Sequence, residues 1–80
     1  MIASAGGIPV ILQSMKVCQD DGHVQELATG SLWTLTNAPS NLKILREENA
    51  KDILLFAREH YPKQCGEYVT DLLRRCRYAS

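Results

Sequence analysis

The amino-acid sequence repeats one pattern of side chains at a spacing of slightly more than forty residues. Residues 6–12 line up with residues 49–55, forty-three positions later, and both segments end in three consecutive aliphatic residues. A second match, at a spacing of forty-one, pairs Glu26, Thr29 and Leu32 with Glu67, Thr70 and Leu73. Two residues fewer in the loop between the helices account for the difference. A period of about 42 residues is typical of arrays built from repeated units of two or three helices.

Hydrophobic periodicity and helix-breaking residues predict helices along most of the chain. The predicted segments cover residues 6–17, 23–37, 40–45, 50–60 and 64–77, with a turn at residues 18–22. Pro9 suits the first turn of its helix, and Ser40 or Asn41 is a natural N-cap for the helix that follows Pro39. No segment shows the period-two alternation of a half-buried strand. We therefore expect an all-α fold.

Length and charge exclude several classes of partner. The 80 residues form at most one small domain, with 45% hydrophobic and 22% charged residues. Nine basic and nine acidic residues give a net charge of zero. Nucleic-acid binding relies on a basic surface that displaces counterions, and an anionic membrane also attracts positive charge. We therefore expect neither a nucleic acid nor a membrane as a partner.

The residues that most often carry chemistry form no recognisable catalytic motif. Cys18, Cys65 and Cys76 leave one unpaired thiol if any two are joined, so we expect three free thiols and a cytoplasmic or nuclear location. His60 and Cys65 are a weak candidate pair for zinc or for a thiol–imidazole catalyst, because no second ligand pair accompanies them. There is no phosphate-binding glycine loop. The expectation is a non-enzymatic protein without metal, cofactor or small-molecule substrate.

Two motifs resemble the armadillo repeat family. Residues 2–9, Ile-Ala-Ser-Ala-Gly-Gly-Ile-Pro, resemble that family's turn between the first and second helices of a repeat. Residues 32–37, Leu-Trp-Thr-Leu-Thr-Asn, resemble the Trp and Asn stretch of its third helix, and residues 41–50 resemble the next first helix. The resemblance covers essentially the whole chain. It implies a fragment of a right-handed α-solenoid, with a partial repeat at residues 1–39, its first helix truncated, and a complete repeat at residues 40–80.

Residues 23–37 and 64–77 correspond to the third helices of the two repeats. A helical wheel divides each of them into a buried and an outer face. The buried sector of the first of them is expected to contain Val24, Leu27, Ala28, Ser31, Leu32 and Leu35. Trp33 points away from that sector, next to Asn37 and flanked by Glu26, Thr29 and Gly30. In the last helix the buried sector is Cys65, Tyr68, Val69, Leu72, Leu73 and Cys76. There Arg74 and Tyr78 replace Trp33 and Asn37, and the outer face is completed by Glu67, Thr70 and Asp71.

The resemblance implies a function for the outer face. Third helices of armadillo proteins line a concave groove in which such Asn side chains bind a peptide main chain and such Trp rings contact its side chains. The expected peptide-binding residues are Trp33, Asn37, Glu26, Thr29, Arg74 and Tyr78. Arg74 and Tyr78 depart from the family's pattern, and no acidic cluster is expected beside Trp33. The alternative is that Trp33 packs on a neighbouring repeat and the chain is a structural capping segment.

The two ends of the repeat pair differ in polarity. The last helix has a charged back, with Glu67, Asp71, Arg74, Arg75 and Arg77, as expected of a terminal capping helix that no further repeat covers. The arginines also complement the negative end of the helix dipole. The first helix leaves few polar positions, and repeat units cannot bury their faces alone. We therefore expect the chain to be the C-terminal end of a larger protein and to pack on upstream repeats or to self-associate.

Overall fold

The computed structural model describes residues 4–77, with side chains from residue 7 onward. Within that range every regular element is a helix, which confirms the all-α expectation. The helices are α1 (Ser4–Val17), α2 (Gly22–Leu35), α3 (Pro39–Glu47), α4 (Lys51–His60) and α5 (Pro62–Cys76). None of these helices is long and apolar enough to cross a membrane.

Proline and aspartate determine where three of the helices begin. Asp21 caps α2, because its carboxylate accepts hydrogen bonds from the backbone N–H groups of His23 (3.0 Å) and Val24 (3.2 Å). Pro39 and Pro62 occupy the first turns of α3 and α5, where the missing N–H of proline costs nothing. The expected starts of these two helices, at residues 40 and 64, are therefore slightly late.

Two expectations about helix starts are wrong. No side-chain hydrogen bond caps α3, so neither Ser40 nor Asn41 is its N-cap. Asn41 is buried, and its Nδ2 donates to the carbonyl oxygen of Leu35 at 3.0 Å, so the side chain satisfies the end of the preceding helix instead. Pro9 lies inside α1 and not in its first turn, because that helix begins at Ser4.

The helices form two pairs that stack on each other. α1 packs against α2, α4 packs against α5, and α3 contacts both α1 and α5. The two pairs meet chiefly where α2 lies along α5, while α1 touches α4. One continuous core runs through both pairs and consists of Ile8, Leu12, Met15, Ala28, Leu32, Leu45, Ala50, Leu54, Ala57, Cys65, Val69, Leu72, Leu73 and Cys76.

Contacts at successive turns show that α2 and α5 are parallel. The hydroxyl of Tyr61, just before α5, donates at 2.8 Å to the carbonyl of Gln19, just before α2. About two turns into each helix, the ring of Tyr68 lies over Gly30, where an added Cβ would be 3.5 Å from the ring. Near the helix ends, Arg75 bonds to Thr36. The N-termini of α2 and α5 therefore lie at the same end of this helix pair.

The expected buried face of α5 is confirmed, because five of its six residues lie in the core and Tyr68 is half-buried. The expected buried face of α2 is partly wrong. Ala28 and Leu32 are buried, but Leu27 is 58% exposed and Ser31 is also exposed.

Polar side chains take the remaining buried positions of α2, Gln25 and Thr29, and the buried C-cap position, Thr36. The hydroxyl of Thr29 donates to the carbonyl of Gln25 at 2.8 Å, and that of Thr36 donates to Leu32 at 2.8 Å. Gln25 donates from Nε2 to the carbonyls of Met15 and Cys18, which ties α2 to the end of α1. Burial of the two hydroxyls and of the Gln25 Nε2 group is tolerated because each makes hydrogen bonds to the backbone, whereas Oε1 of Gln25 is buried with no hydrogen-bond partner among the described residues.

An apolar surface remains open on the side of α1 and α2 that faces away from α5. It surrounds a shallow cleft of about 210 Å³ lined by Ile11, Ser14, Val24, Leu27, Ala28 and Ser31. Val10 of α1 is 64% exposed. None of the cleft-lining residues carries a charge, so nothing repels another apolar surface.

We expect this apolar surface to cause self-association of the isolated chain. The mass measured by light scattering should increase with protein concentration, and Leu27→Glu should shift it towards the monomer because a carboxylate would be buried at the contact. Val17→Glu is the matched control, since Val17 is 71% exposed but does not line the cleft. A wild-type chain that stays monomeric at high concentration would contradict the expectation.

Candidate functional site

Trp33 lies near the end of α2 with its indole directed at α5. Its Nε1–H donates to Oδ2 of Asp71 at 2.7 Å. The ring of Tyr68 packs against it at a tilt of 49°, with the ring centroids 5.8 Å apart. Even so, 37% of Trp33 is exposed. The indole is therefore held in one orientation while part of it faces solvent.

Arg75 connects this tryptophan to the α5 helix. Its guanidinium carbon lies 5.1 Å from the centre of the Trp33 ring, and its Nε is 3.0 Å from Oδ2 of Asp71. The same side chain donates to the carbonyl of Trp33 at 2.9 Å and to the hydroxyl of Thr36 at 3.0 Å. One arginine thus provides a cation–π contact, an ion pair and the hydrogen bonds that hold the C-terminal end of α2.

A cleft of about 480 Å³ opens beside the indole, lined by Trp33, Glu67, Tyr68 and Asp71. Two aromatic rings and two carboxylates therefore meet here, so α5 brings two acidic residues to Trp33 where the sequence predicted no acidic cluster. Asp71 is already engaged by the indole N–H and by Arg75, and Arg74 approaches its other oxygen at 3.8 Å. Glu67 is exposed, so its negative charge is the one most available to a ligand.

The expected peptide-binding residues are not all on this surface. Asn37 is exposed in the turn after α2, and Glu26 is exposed on α2. Arg74 is also on the surface, with 76% of its side chain exposed. Thr29 is fully buried, and its hydroxyl is turned towards the backbone of α2. Thr29 therefore cannot contact a partner. Tyr78 lies outside the described residues.

Three residues of the site, Tyr68, Asp71 and Arg75, were not expected to contact Trp33. The wheel assigned Tyr68 to the buried sector and Asp71 to the outer face. Arg75 was assigned to the charged back of the last helix, where it complements the helix dipole. Asp71 and Arg75 lie 38 and 42 residues after Trp33 in the sequence, and both separations are close to the length of the sequence repeat. The repeat itself was therefore the signal that could have found them, because stacked units bring together residues that are about one period apart.

His60 and Cys65 are in different environments. The His60 ring stacks on Phe56 with the centroids 4.0 Å apart, and its Nδ1 is 3.1 Å from the carbonyl of the same residue. Cys65 is fully buried in the core. Across residues 4–77, no group of three or more His, Cys, Asp or Glu side chains lies close enough to hold a metal ion.

Two of the thiols are shielded by the core. Burial raises the pKa of the Cys65 thiol, although a hydrogen bond with Thr29 lowers it and the Glu26 carboxylate adds to the rise. Burial also raises the pKa of the Cys76 thiol, against a partly opposing effect of the Arg46 guanidinium. Since the thiolate is the reactive form, both cysteines are poor nucleophiles at neutral pH.

No family model, no curated protein and no solved structure matches the chain. The resemblance to armadillo repeats therefore stays a prediction, and the function rests on the geometry around Trp33.

The contact between Trp33 and Asp71 should contribute measurably to stability. Trp33→Phe keeps an aromatic ring but removes the N–H donor, so the free energy of unfolding should fall by about 0.5–1.5 kcal/mol in urea titrations. Thr34→Ala is the control, because Thr34 is exposed on the same helix, and it should change stability by less than about 0.5 kcal/mol. Equal stability of Trp33→Phe and the wild type would mean that the hydrogen bond to Asp71 contributes nothing.

All three cysteines are free thiols in the structure, and Cys18 is the least buried. In the folded protein at neutral pH, a maleimide should label Cys18 much faster than Cys65 or Cys76, because burial excludes the reagent and raises the pKa of both core thiols. In denaturant without reductant all three should react, as mass spectrometry would show. Only one labelled thiol in the unfolded chain would reveal a disulfide and refute the expectation of a reducing compartment.

Proposed function

We propose that this chain is part of an armadillo-type α-solenoid and that the surface formed by α2 and α5 binds an extended peptide segment of a partner protein. The observation that carries the proposal is the Trp33 indole, which is oriented by hydrogen bonding and ring contacts and still 37% exposed. We expect no chemical step at this surface, so the proposed activity is protein binding.

The stacking of the two helix pairs supports the solenoid part of the proposal. Cys65, Val69 and Leu72 of α5 lie in the core, and Tyr68 of α5 contacts the first helix pair, α1 and α2. Their counterparts one repeat earlier, forty-one residues back, are Val24, Leu27, Ala28 and Ser31, and these line the open cleft on α2. In the second pair these positions are buried or half-buried, whereas in the first pair Leu27 and Ser31 are exposed, as expected if another unit packs there.

The side of α5 that faces away from α2 supports a capping role for this helix. Thr29 of α2 and Thr36, the C-cap of α2, are buried where α5 lies. Their counterparts, Thr70 of α5 and Arg77, the C-cap of α5, are exposed. An arginine would be costly under a further stacked helix without a partner for its charge. These polar substitutions match a helix pair that ends the array.

Peptide binding is supported by the chemistry of the exposed groups. Trp33 offers a flat apolar surface held by Tyr68 and Arg75, so little side-chain entropy would be lost when a ligand contacts it. Asn37, one helical turn later in sequence, presents an amide that can both donate to and accept from a peptide main chain. An aromatic anchor beside a main-chain-binding amide suits an extended peptide.

A structural role for Trp33 is the second candidate function. The hydrogen bond to Asp71 and the contacts with Tyr68 and Arg75 join α2 to α5, as a packing residue of the solenoid would do. In this alternative the chain caps a larger scaffold and the binding surface lies elsewhere. Partial exposure of the indole favours the first proposal, and affinity measurements distinguish the two.

The test uses peptides selected on the protein from a phage-displayed random library and then measured by fluorescence anisotropy. Trp33→Ala should weaken binding by about 1–2 kcal/mol, as expected for an interface anchor. Asn37→Ala should weaken it by about 0.5–1.5 kcal/mol, with a similar loss for peptides of different side chains, because the lost bonds are to the main chain.

Thr34→Ala serves as the control and should bind like the wild type, because its side chain is exposed on α2 but does not line the cleft. Circular dichroism of each variant gives the folded fraction. If Trp33→Ala lowers stability but its folded fraction binds with unchanged affinity, Trp33 is a packing residue and the structural role is correct.

A further inference from the structure

We propose that the groove between α2 and α5 selects peptides in which a basic and an acidic side chain lie about three residues apart with apolar residues between them. This inference rests on the proposed function, because it names the partner chemistry of the same surface. It follows from the aromatic rings that line the cleft and from two exposed charges of opposite sign, Glu67 and Arg74, which lie further apart along α5.

A carboxylate lies at the end of the cleft that is nearer to the start of α5. Glu67 is exposed in the first half of α5 and lines the cleft beside Trp33. The basic side chain of a bound peptide would therefore lie at Glu67.

The exposed guanidinium of Arg74 lies at the other end of the cleft. Arg74 lies in the last turn of α5 with 76% of its side chain exposed, and its only ion pair in the described part of the chain is a long one of 3.8 Å to Asp71. Arg75 is not available in the same way, because it is engaged by Asp71, Trp33 and Thr36. Arg74 is therefore the group that would pair with an acidic side chain of the peptide.

Aromatic rings lie between the two charged ends. Tyr68 and Trp33 line the cleft with Glu67 and Asp71, and the charge of Asp71 is balanced by Arg75. The middle of the groove is therefore apolar and nearly neutral. Aliphatic side chains or the stems of longer ones would contact the rings, while the charged ends of the peptide would extend towards Glu67 and Arg74.

The spacing of the peptide charges follows from helix geometry. Glu67 and Arg74 are seven residues apart, which corresponds to about 10 Å along a helix that rises 1.5 Å per residue. An extended peptide advances about 3.3 Å per residue, so about three residues separate the two charges. Pairs of exposed charges contribute modestly to affinity, which makes the preference a matter of severalfold and sensitive to salt.

The experiment compares fluorescein-labelled peptides that share one apolar frame, Ala-X-Leu-Leu-Z-Ala, and differ only in X and Z. At low salt, the Lys/Glu peptide should bind the 80-residue chain at least about threefold more tightly than the Lys/Lys or Glu/Glu peptides. Glu67→Lys should shift the preference to Glu/Glu, and Arg74→Glu should shift it to Lys/Lys. The double variant E67K/R74E should prefer the reversed Glu/Lys peptide, because the two charges of the groove have changed places.

The control is Glu59→Lys, which makes the same charge change on α4, outside the cleft, and should leave the order of affinities unchanged. All the differences should disappear at high salt. Equal binding of the three peptides, with affinity still lost in Trp33→Ala, would overturn the charge selectivity and leave peptide binding intact. Binding that is indifferent to Trp33→Ala would overturn the proposed groove itself.

Discussion

The parallel packing of α2 along α5 is the constraint on which the rest of the structure depends. It joins residues that are about one sequence repeat apart, as the contacts of Tyr61 with Gln19 and of Arg75 with Trp33 show at a separation of 42 residues. Each helix pair would expose an apolar side if it stood alone, and the stacking of α5 on α2 covers one of these sides. The same stacking creates the cleft beside Trp33, so the fold and the candidate site have one origin.

The helices and one of the two buried faces were predictable from hydrophobic periodicity. On α5 the periodicity succeeded because the positions that face α2, α3 and α4 are filled mainly by apolar residues. On α2 it failed because polar residues fill several of the positions that face its two neighbours, α1 and α5. Gln25, Thr29 and Thr36 are buried there through hydrogen bonds to the backbone, whereas Leu27 lies on the side that nothing in the described structure covers. A helical wheel counts apolar residues and cannot anticipate polar groups that satisfy their hydrogen bonds internally.

The candidate site was predictable only in part, for a similar reason. Trp33 and Asn37 were found from a local motif, and both lie at least partly on the surface. Asp71 and Arg75 look like ordinary surface charges when α5 is considered alone, since they form an i, i+4 pair on one helix. Their role depends on the register between two helices, which fixes Asp71 opposite the indole N–H. Register is a property of three-dimensional packing. In the sequence, only the repeat spacing indicated which residues of α2 and α5 would meet.

Stability and binding are therefore coupled at Trp33. The contacts of Asp71 and Arg75 with the indole stabilise the fold, and the same contacts restrict rotation of the ring. A side chain that is already fixed loses less entropy when a ligand contacts it. Loosening the network would expose more of the ring but would make it a poorer anchor, because the ring would then have to be ordered on binding. The partial exposure of Trp33 is thus a balance: enough of the indole is packed to orient it, and enough is left open to contact a partner. A ring fully covered by α5 would stabilise the fold equally well but could bind nothing.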